Sequence, residues 1–217
     1  MIVKLGVEDE VHLHDHKGGE SGGAAGGGEI WSQLWNSSMV LCKRVIGLAT
    51  VPDNAWPRNI LELGSGRGLC GLAAAKRFPQ ASVTLSDVND TCITNLHHSL
   101  TLNGLDKNVK VIKLNWYDES TYPGETFDLI LGSDILYMER AVKALQDHLL
   151  DRLLSPDGRI ILVDPSRCYS NDFCLDPSSF SMTREYVHND KDFDTHEADV
   201  KCHRFVVLDI SRQKNKN

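Results

Sequence analysis

Glu62, Gly64, Ser65, Gly66 and Gly68 crowd the end of one apolar run, and a lone carboxylate, Asp87, ends the next. Glycines let the chain turn sharply and come close to a ligand. A helix opening after such a turn presents unpaired N–H groups and a partial positive charge, a ready site for an anion. A carboxylate ending the following strand can accept both hydroxyls of a ribose. These residue types in this order describe a nucleotide-type cofactor site at the carboxyl ends of parallel strands.

Two cofactors compete for that description. Gly66, Gly68 and Gly71 fit the dinucleotide pattern G-x-G-x-x-G, and Asp87 follows at about the distance of its ribose acid. The wider pattern is Glu62-x-Gly64-x-Gly66-x-Gly68, with an acid two residues ahead of the first glycine. A carboxylate there suits a cationic amino end, which a pyrophosphate lacks. S-adenosyl-L-methionine has such an amino group, and a carboxylate for the helix start. It is the expected cofactor; an ordinary tight turn is the plain alternative.

Two more strand ends face the same crevice. Val88, next to Asp87, would be an apolar shelf under an adenine. Asn115 and Trp116 follow the third strand, where an amide can bond the edge of a base and an indole can stack on its face. Gly132-Ser133-Asp134-Ile135-Leu136-Tyr137 closes the fourth. Asp134 and Tyr137 are therefore expected near the reactive end of the cofactor. The structural alternatives are that Asp87 or Asp134 caps the helix after it and that Tyr137 packs beneath one; Asn89 or Asp90 could do the capping after Asp87.

The elements that must position these groups alternate. Strand patterns at 59–63, 82–86, 109–114, 127–132 and 159–163 are separated by helical patterns at 68–78, 89–102 and 138–154. The run 127–132, apolar but for Asp128, reads as a central parallel strand, and Ser155-Pro156-Asp157-Gly158 as a turn. Ahead of them, Leu34, Leu41, Val45 and Leu48 recur at helical spacing from residue 30, and 52–57 ends that helix. After residue 165 two strand-like runs remain, 181–187 and 205–210. The expected class is α/β, a parallel sheet closed by an antiparallel hairpin at one edge.

Residues 1–29 read separately from 30–217. The first sixteen alternate around Val7, Val11 and Leu13, as a strand or hairpin does. Residues 17–29 hold seven glycines and read as a flexible linker. His12, His14 and His16 would share a strand face, but no carboxylate or cysteine framework completes a metal site, so no metal is expected.

Bulk properties narrow the function classes. The 217 residues carry a net charge of −7, with 41% hydrophobic and 24% charged residues. One domain with a substantial core is expected, and nucleic acid is disfavoured as a partner for want of a basic face. The short basic tail, Arg212, Lys214 and Lys216, reads as a solvated end. No run has the length of a membrane span and no signal-peptide core opens the chain, so no membrane association is expected. Cysteines at 42, 70, 92, 168, 174 and 202 form no C-x-x-C pair. Reduced thiols in the cytoplasm, with the nucleus as the alternative, are the expectation.

Taken together, Glu62-Leu-Gly-Ser-Gly-Arg-Gly-Leu69, Asp87, Asn115-Trp116 and Asp134-Ile-Leu-Tyr137 resemble the seven-strand protein-lysine methyltransferases of the methyltransferase-like 21 type, which carry Asp-x-x-Tyr/Phe after the fourth strand. Leu34-Trp35-Asn36-Ser37-Ser38 is similar to that family's tryptophan-bearing first helix. The resemblance covers residues 31–163. It implies a Rossmann-like seven-stranded sheet, parallel but for one antiparallel C-terminal strand, with helices on both faces. It implies cofactor contacts from Trp35, Gly64, Ser65, Gly66, Asp87, Trp116 and Ser133, to which Glu62, Val88 and Asn115 are added from their positions. It implies catalytic roles for Asp134 and Tyr137, and a lysine-bearing protein as substrate; a monomer is expected.

Two departures stand out. Asn115 replaces an Asp common before the tryptophan, and Asp164-Pro165-Ser166-Arg167 looks more like a subset including mitochondrial and bacterial lysine methyltransferases. Histidine, arginine, a small amine or nucleic acid remain as other acceptors, and a non-catalytic binding module as the non-enzymatic reading. An NAD-dependent dehydrogenase would need a second catalytic region, for which the chain after the fifth strand is short.

Overall fold

The computed structural model describes residues 1–4, 10–14, 34–48, 56–188 and 204–213. A short antiparallel hairpin, β1 (Ile2–Lys4) with β2 (Glu10–His12), precedes helix α1 (Asn36–Ile46). Then β3 (Asn59–Leu63), α2 (Leu69–Arg77), β4 (Ser82–Asp87), α3 (Asp90–Asn103), β5 (Val109–Lys113) and β6 (Phe127–Ser133) follow. Helices α4 (Glu139–Ala144) and α5 (Leu150–Leu153), strand β7 (Leu154–Pro165), helix α6 (Cys168–Asp172), and strands β8 (Phe180–His188) and β9 (Arg204–Arg212) complete the order.

The strands from β3 onward form one sheet in the order β5-β4-β3-β6-β7-β9-β8. β9 alone runs antiparallel to both its neighbours, which leaves six strands parallel. This is the expected Rossmann-like sheet. The hairpin at the edge has one feature the chain order does not announce: its second strand, β9, inserts between β7 and β8.

Period-2 alternation sends neighbouring residues of each strand to opposite faces. Ile60, Leu129, Leu131, Ile161 and Val163 face α1, α2 and α3 on one side. Leu61, Leu63, Ile130, Ile160 and Leu162 face α4 and α5 on the other. Burial on both faces explains why β6 is apolar from Leu129 to Gly132. The N-terminal hairpin also joins the core: Val3, Val11 and Leu13 are buried against the α2 and α3 side. Asn103 on α3 clamps it, accepting the His12 N–H at 3.0 Å and donating to the His12 carbonyl at 2.6 Å.

Several local expectations shift. Helix α1 begins at Asn36, with Leu34 and Trp35 ahead of it, so Trp35, in extended conformation, stands at its N-cap. The helical stretch 138–154 is not uniform, because residues Leu145–Leu149 widen into a π-helical turn between α4 and α5. Leu145, Leu149, Leu150 and Leu153 along the stretch are all buried. Residues 155–158 do not stand apart as a turn; they belong to β7, whose pairing with β6 shifts register between Phe127 and Leu129. His12 bonds Glu10 at 2.9 Å and His14 stacks on His98 with ring centres 4.7 Å apart. Val7, His16, the glycine-rich stretch 17–29, residues 52–55, Cys202, Lys214 and Lys216 lie outside the described residues. Among the described cysteines Cys42, Cys70 and Cys92 are buried, and none forms a disulfide. Among the described residues no helix is long and apolar enough to cross a membrane.

Candidate active site

The turn after β3 is built by three glycines with left-handed backbone: Gly64 at φ 59°, Gly66 at 50° and Gly68 at 82°. Gly64 is also held by its neighbours. A Cβ there would lie 3.1 Å from Ile135 and 3.2 Å from the Trp116 ring. Ser65 ties the turn to the next strand: its N–H donates to the Ser86 carbonyl at 2.8 Å and its Oγ accepts the Ser86 N–H at 3.0 Å.

Asp87, ending β4, accepts the Gly66 N–H on Oδ2 at 2.9 Å and the Asn89 N–H on Oδ1 at 2.9 Å. It does not cap α3. Asn89 does, accepting from Thr91 and Cys92. A carboxylate offers about four lone-pair sites, so Asp87 is locked against the glycine turn while one acceptor site on each oxygen stays open to a ligand.

Glu62 points to the α2 side of the sheet and is 2% exposed. Its Oε2 accepts the N–H of Gly71, in the first turn of α2, at 3.0 Å. Burial pushes the carboxyl up from 4.5 to about 7, against the Gly71 N–H, which pulls it down. The acid before the glycines thus holds the helix start as well as bordering the crevice.

At the end of β5, Asn115 uses its Oδ1 to accept the Tyr117 N–H at 3.0 Å, which closes a local turn and leaves the Nδ2 donor. Trp116 packs among the residues under α4 and α5, with its carbonyl accepting the Tyr122 hydroxyl at 2.8 Å. Val88 is exposed beside Asp87.

After β6 the chain passes through Asp134 in a left-handed conformation, φ 55°, the sole described non-glycine residue there. Its N–H donates to the Val163 carbonyl at 2.9 Å, and the next two N–H groups, of Ile135 and Leu136, donate to the buried carboxylate of Asp164 at 3.3 and 2.9 Å. These bonds hold a conformation that costs a side-chain-bearing residue roughly 1 kcal/mol. The Asp134 side chain, 10% exposed, pairs with Arg167 on Oδ1 and accepts from Ser37 Oγ on Oδ2 at 3.4 Å. Burial pushes its carboxyl above the usual range, with the Arg167 charge opposing. Asp134 is not a helix cap; the α4 N-cap position belongs to Met138. Tyr137 is 46% exposed, and partial burial raises its phenol.

All twelve residues singled out from the sequence border one cavity of about 690 Å³: Trp35, Glu62, Gly64, Ser65, Gly66, Asp87, Val88, Asn115, Trp116, Ser133, Asp134 and Tyr137. That volume lies within the range of small-molecule sites. The cavity also takes in residues not anticipated there, chiefly Arg167 and Tyr117. Arg167 had a visible cue, since it follows β7 and that strand end opens on the same crevice. Tyr117 had only its adjacency to Trp116. Among the described residues no cluster of histidine, cysteine and carboxylate side chains gathers as a metal site would.

Residues 19–174 match the family described as lysine methyltransferase. The chain is 30% identical over 167 residues to protein N-lysine methyltransferase METTL21A of Danio rerio, covering 75% of this chain and 73% of that protein. It is 31% identical over 142 residues to EEF1A lysine methyltransferase 3 of Mus musculus, covering 63% and 56%. Among solved structures, the fold is shared with an O-methyltransferase family protein from Burkholderia thailandensis, with a TM-score of 0.59 at 15% identity, over 82% of this chain and 57% of that one. It is shared too with precorrin-6y C5,15-methyltransferase from Geobacter metallireducens, with a TM-score of 0.56 at 13% identity, over 81% and 86%.

Proposed function

The chain belongs to the lysine methyltransferase family, and we propose that its cavity holds S-adenosyl-L-methionine at the glycine turn and presents a lysine side chain of a protein to it at Asp134 and Tyr137. The observation that carries this reading is the single cavity joining Gly64, Gly66 and Asp87 at one end to Asp134 and Tyr137 at the other.

The donors and acceptors suit the cofactor. The open acceptor sites of Asp87 take the ribose hydroxyls. The partial positive charge at the start of α2 draws the carboxylate of the methionine tail, and Glu62 accepts from its amino group. Val88 and Trp116 flank the adenine, and the Asn115 Nδ2 donates to its edge. Trp35 and Ser133 close the walls near the methyl group. Gly64 lines the cavity, and a side chain there would strike Trp116 and Ile135, the two residues that wall it.

When bound, the cofactor supplies a methyl group on a sulfonium, a strong electrophile that needs an in-line neutral amine. The residues of this chain supply position and dryness. Tyr137, half exposed at the rim, draws the cationic amine by its ring face. Ile135 and Trp35 form apolar walls that disfavour the ammonium and push the lysine toward its neutral form. Asp134 Oδ accepts an N–H of the incoming amine and so aims its lone pair.

Calorimetry with S-adenosylhomocysteine tests the cofactor half. Saturable binding that is strongly weakened in Asp87→Ala, with no binding of NAD, supports the reading; silence toward both ligands would replace it by a binding module. Incubation with tritiated cofactor and whole-cell extract tests the acceptor half. Label that survives nuclease and disappears with protease is expected, and its loss in Asp134→Ala with cofactor binding intact assigns the residue. Label that disappears with nuclease instead would make nucleic acid the acceptor.

A further inference from the structure

Asp134 and Asp164 stand at the ends of two adjacent parallel strands, β6 and β7, and both turn toward one guanidinium. Arg167 pairs with Asp134 Oδ1 and reaches to 3.6 Å from Asp164 Oδ1. The side chain of Asp134 is 10% exposed and that of Asp164 is fully buried. Two carboxylates so close and so dry do not both ionise without a counter-charge.

The backbone of Arg167 is held for this task. It occupies the N-cap of α6, where its N–H donates to Ser170 Oγ at 2.9 Å. That hydroxyl is buried and itself donates to the Pro165 carbonyl at 2.6 Å. The turn from β7 into α6 is therefore closed on itself, and the arginine side chain spans from it to the loop after β6. Ser37 of α1 approaches the other oxygen of Asp134 from the opposite side.

We propose that Arg167 is the positioning residue of the acceptor site, its guanidinium holding the Asp134 carboxylate charged and aimed at the mouth of the cavity. This rests on the reading of Asp134 as the group that meets the acceptor amine. The groups around Asp134 are Arg167 and Asp164 from the β7–α6 corner, Tyr137 from its own loop and Ser37 from α1. Arg167 is the one cation among these four. Its removal leaves Asp134 facing Asp164 in a place where burial already pushes both carboxyls up. Asp134 then takes up a proton at a higher pH than it does beside Arg167, and a protonated carboxyl no longer attracts a cationic amine.

The test is carboxyl-carbon NMR of protein labelled with 13C-aspartate, titrated with pH, the Asp134 resonance being assigned by its loss in Asp134→Asn. In Arg167→Gln the Asp134 titration is expected to move up by about one pH unit or more, the usual effect of losing an opposite charge at contact. Arg167→Lys, which keeps the charge, is expected to restore it. With tritiated cofactor and whole-cell protein as acceptor, the acid limb of the activity profile should move with the titration, while S-adenosylhomocysteine affinity stays within about twofold of wild type. An unmoved Asp134 titration in Arg167→Gln, or an equal fall in activity at every pH, overturns the proposal. If Arg167→Gln does not fold, Arg167→Lys decides: a shift of a unit or more despite the retained charge overturns it. Activity retained in Asp134→Asn would instead sink the acceptor role of Asp134, whatever Arg167 does to its titration.

Discussion

The carboxylate of Asp164 accepts the Leu136 N–H at 2.9 Å inside the protein, so the loop carrying Asp134 and Tyr137 hangs from the end of the neighbouring strand. Asp164 is 1% exposed, and burial, with the charge of Asp134 next, pushes its carboxyl well above the usual range. Replacing Asp164 by Ala strands the N–H groups of both Ile135 and Leu136. Each buried unsatisfied donor costs about 1–3 kcal/mol, so Asp164→Ala should unfold at a denaturant midpoint lower by the equivalent of about 2–6 kcal/mol. Methyl transfer should fall further than S-adenosylhomocysteine binding, because the disturbed loop carries Asp134 and Tyr137, proposed to meet the acceptor.

Asp87→Ala removes the acceptor for Gly66 and the contact expected for the ribose, yet leaves the Asn89 cap of α3 in place. Two lost bonds to a charged group amount to at least about 3 kcal/mol, or roughly a 100-fold weaker Kd. Calorimetry should return that loss with the far-ultraviolet circular dichroism unchanged. Full affinity in the variant would remove Asp87 from the cofactor site.

Glu62 ties stability to pH. Its carboxyl titrates at about 7 in the folded protein and at an ordinary 4.5 when exposed. The folded state therefore holds more protons between those values, and stability falls as pH rises through that window. The stabilisation is fully present below 4.5 and gone above about 7; the whole span corresponds to roughly 3 kcal/mol. Glu62→Gln keeps an oxygen for the Gly71 N–H and has no such slope. Thermal melts should show it more stable than wild type at pH 8, with the gap closing toward pH 5. Its S-adenosylhomocysteine affinity should be lower at pH 8, since a neutral amide pairs poorly with an amino cation.

Two glycines of like backbone separate conformational cost from crowding. Gly104 ends α3 at φ 66° with nothing within 4 Å of an added Cβ, whereas Gly64 at φ 59° has Ile135 and Trp116 there. Gly104→Ala should cost about 1 kcal/mol in stability and leave cofactor binding unchanged. Gly64→Ala should cost about 1–3 kcal/mol more through overpacking and weaken S-adenosylhomocysteine at least tenfold. Equal effects of the two on binding would mean that the closeness of Trp116 does not matter.

What could be read from the chain alone was the part written in short-range pattern. Alternation of strand and helix periods carried the class of the fold. Glycine spacing and strand-end position carried Gly64, Gly66, Asp87, Asp134 and Tyr137 into one crevice, because parallel strands put all their carboxyl ends on one side. Long-range choices stayed hidden. Alternation says which face of a strand is buried but not which strand lies beside it, so the insertion of β9 between β7 and β8 was not legible. The same holds for Asn103 clamping a hairpin 91 residues away. Nor does sequence spacing reveal what a charged side chain meets. Arg167 and Asp164 become partners of the Asp134 loop only because β6 and β7 pair in register from Leu129 with Arg159 to Ser133 with Val163. The residues that border the cavity were thus legible as types at strand ends, while the residues that hold them were decided by the pairing of strands, whose contacts join positions far apart in the chain.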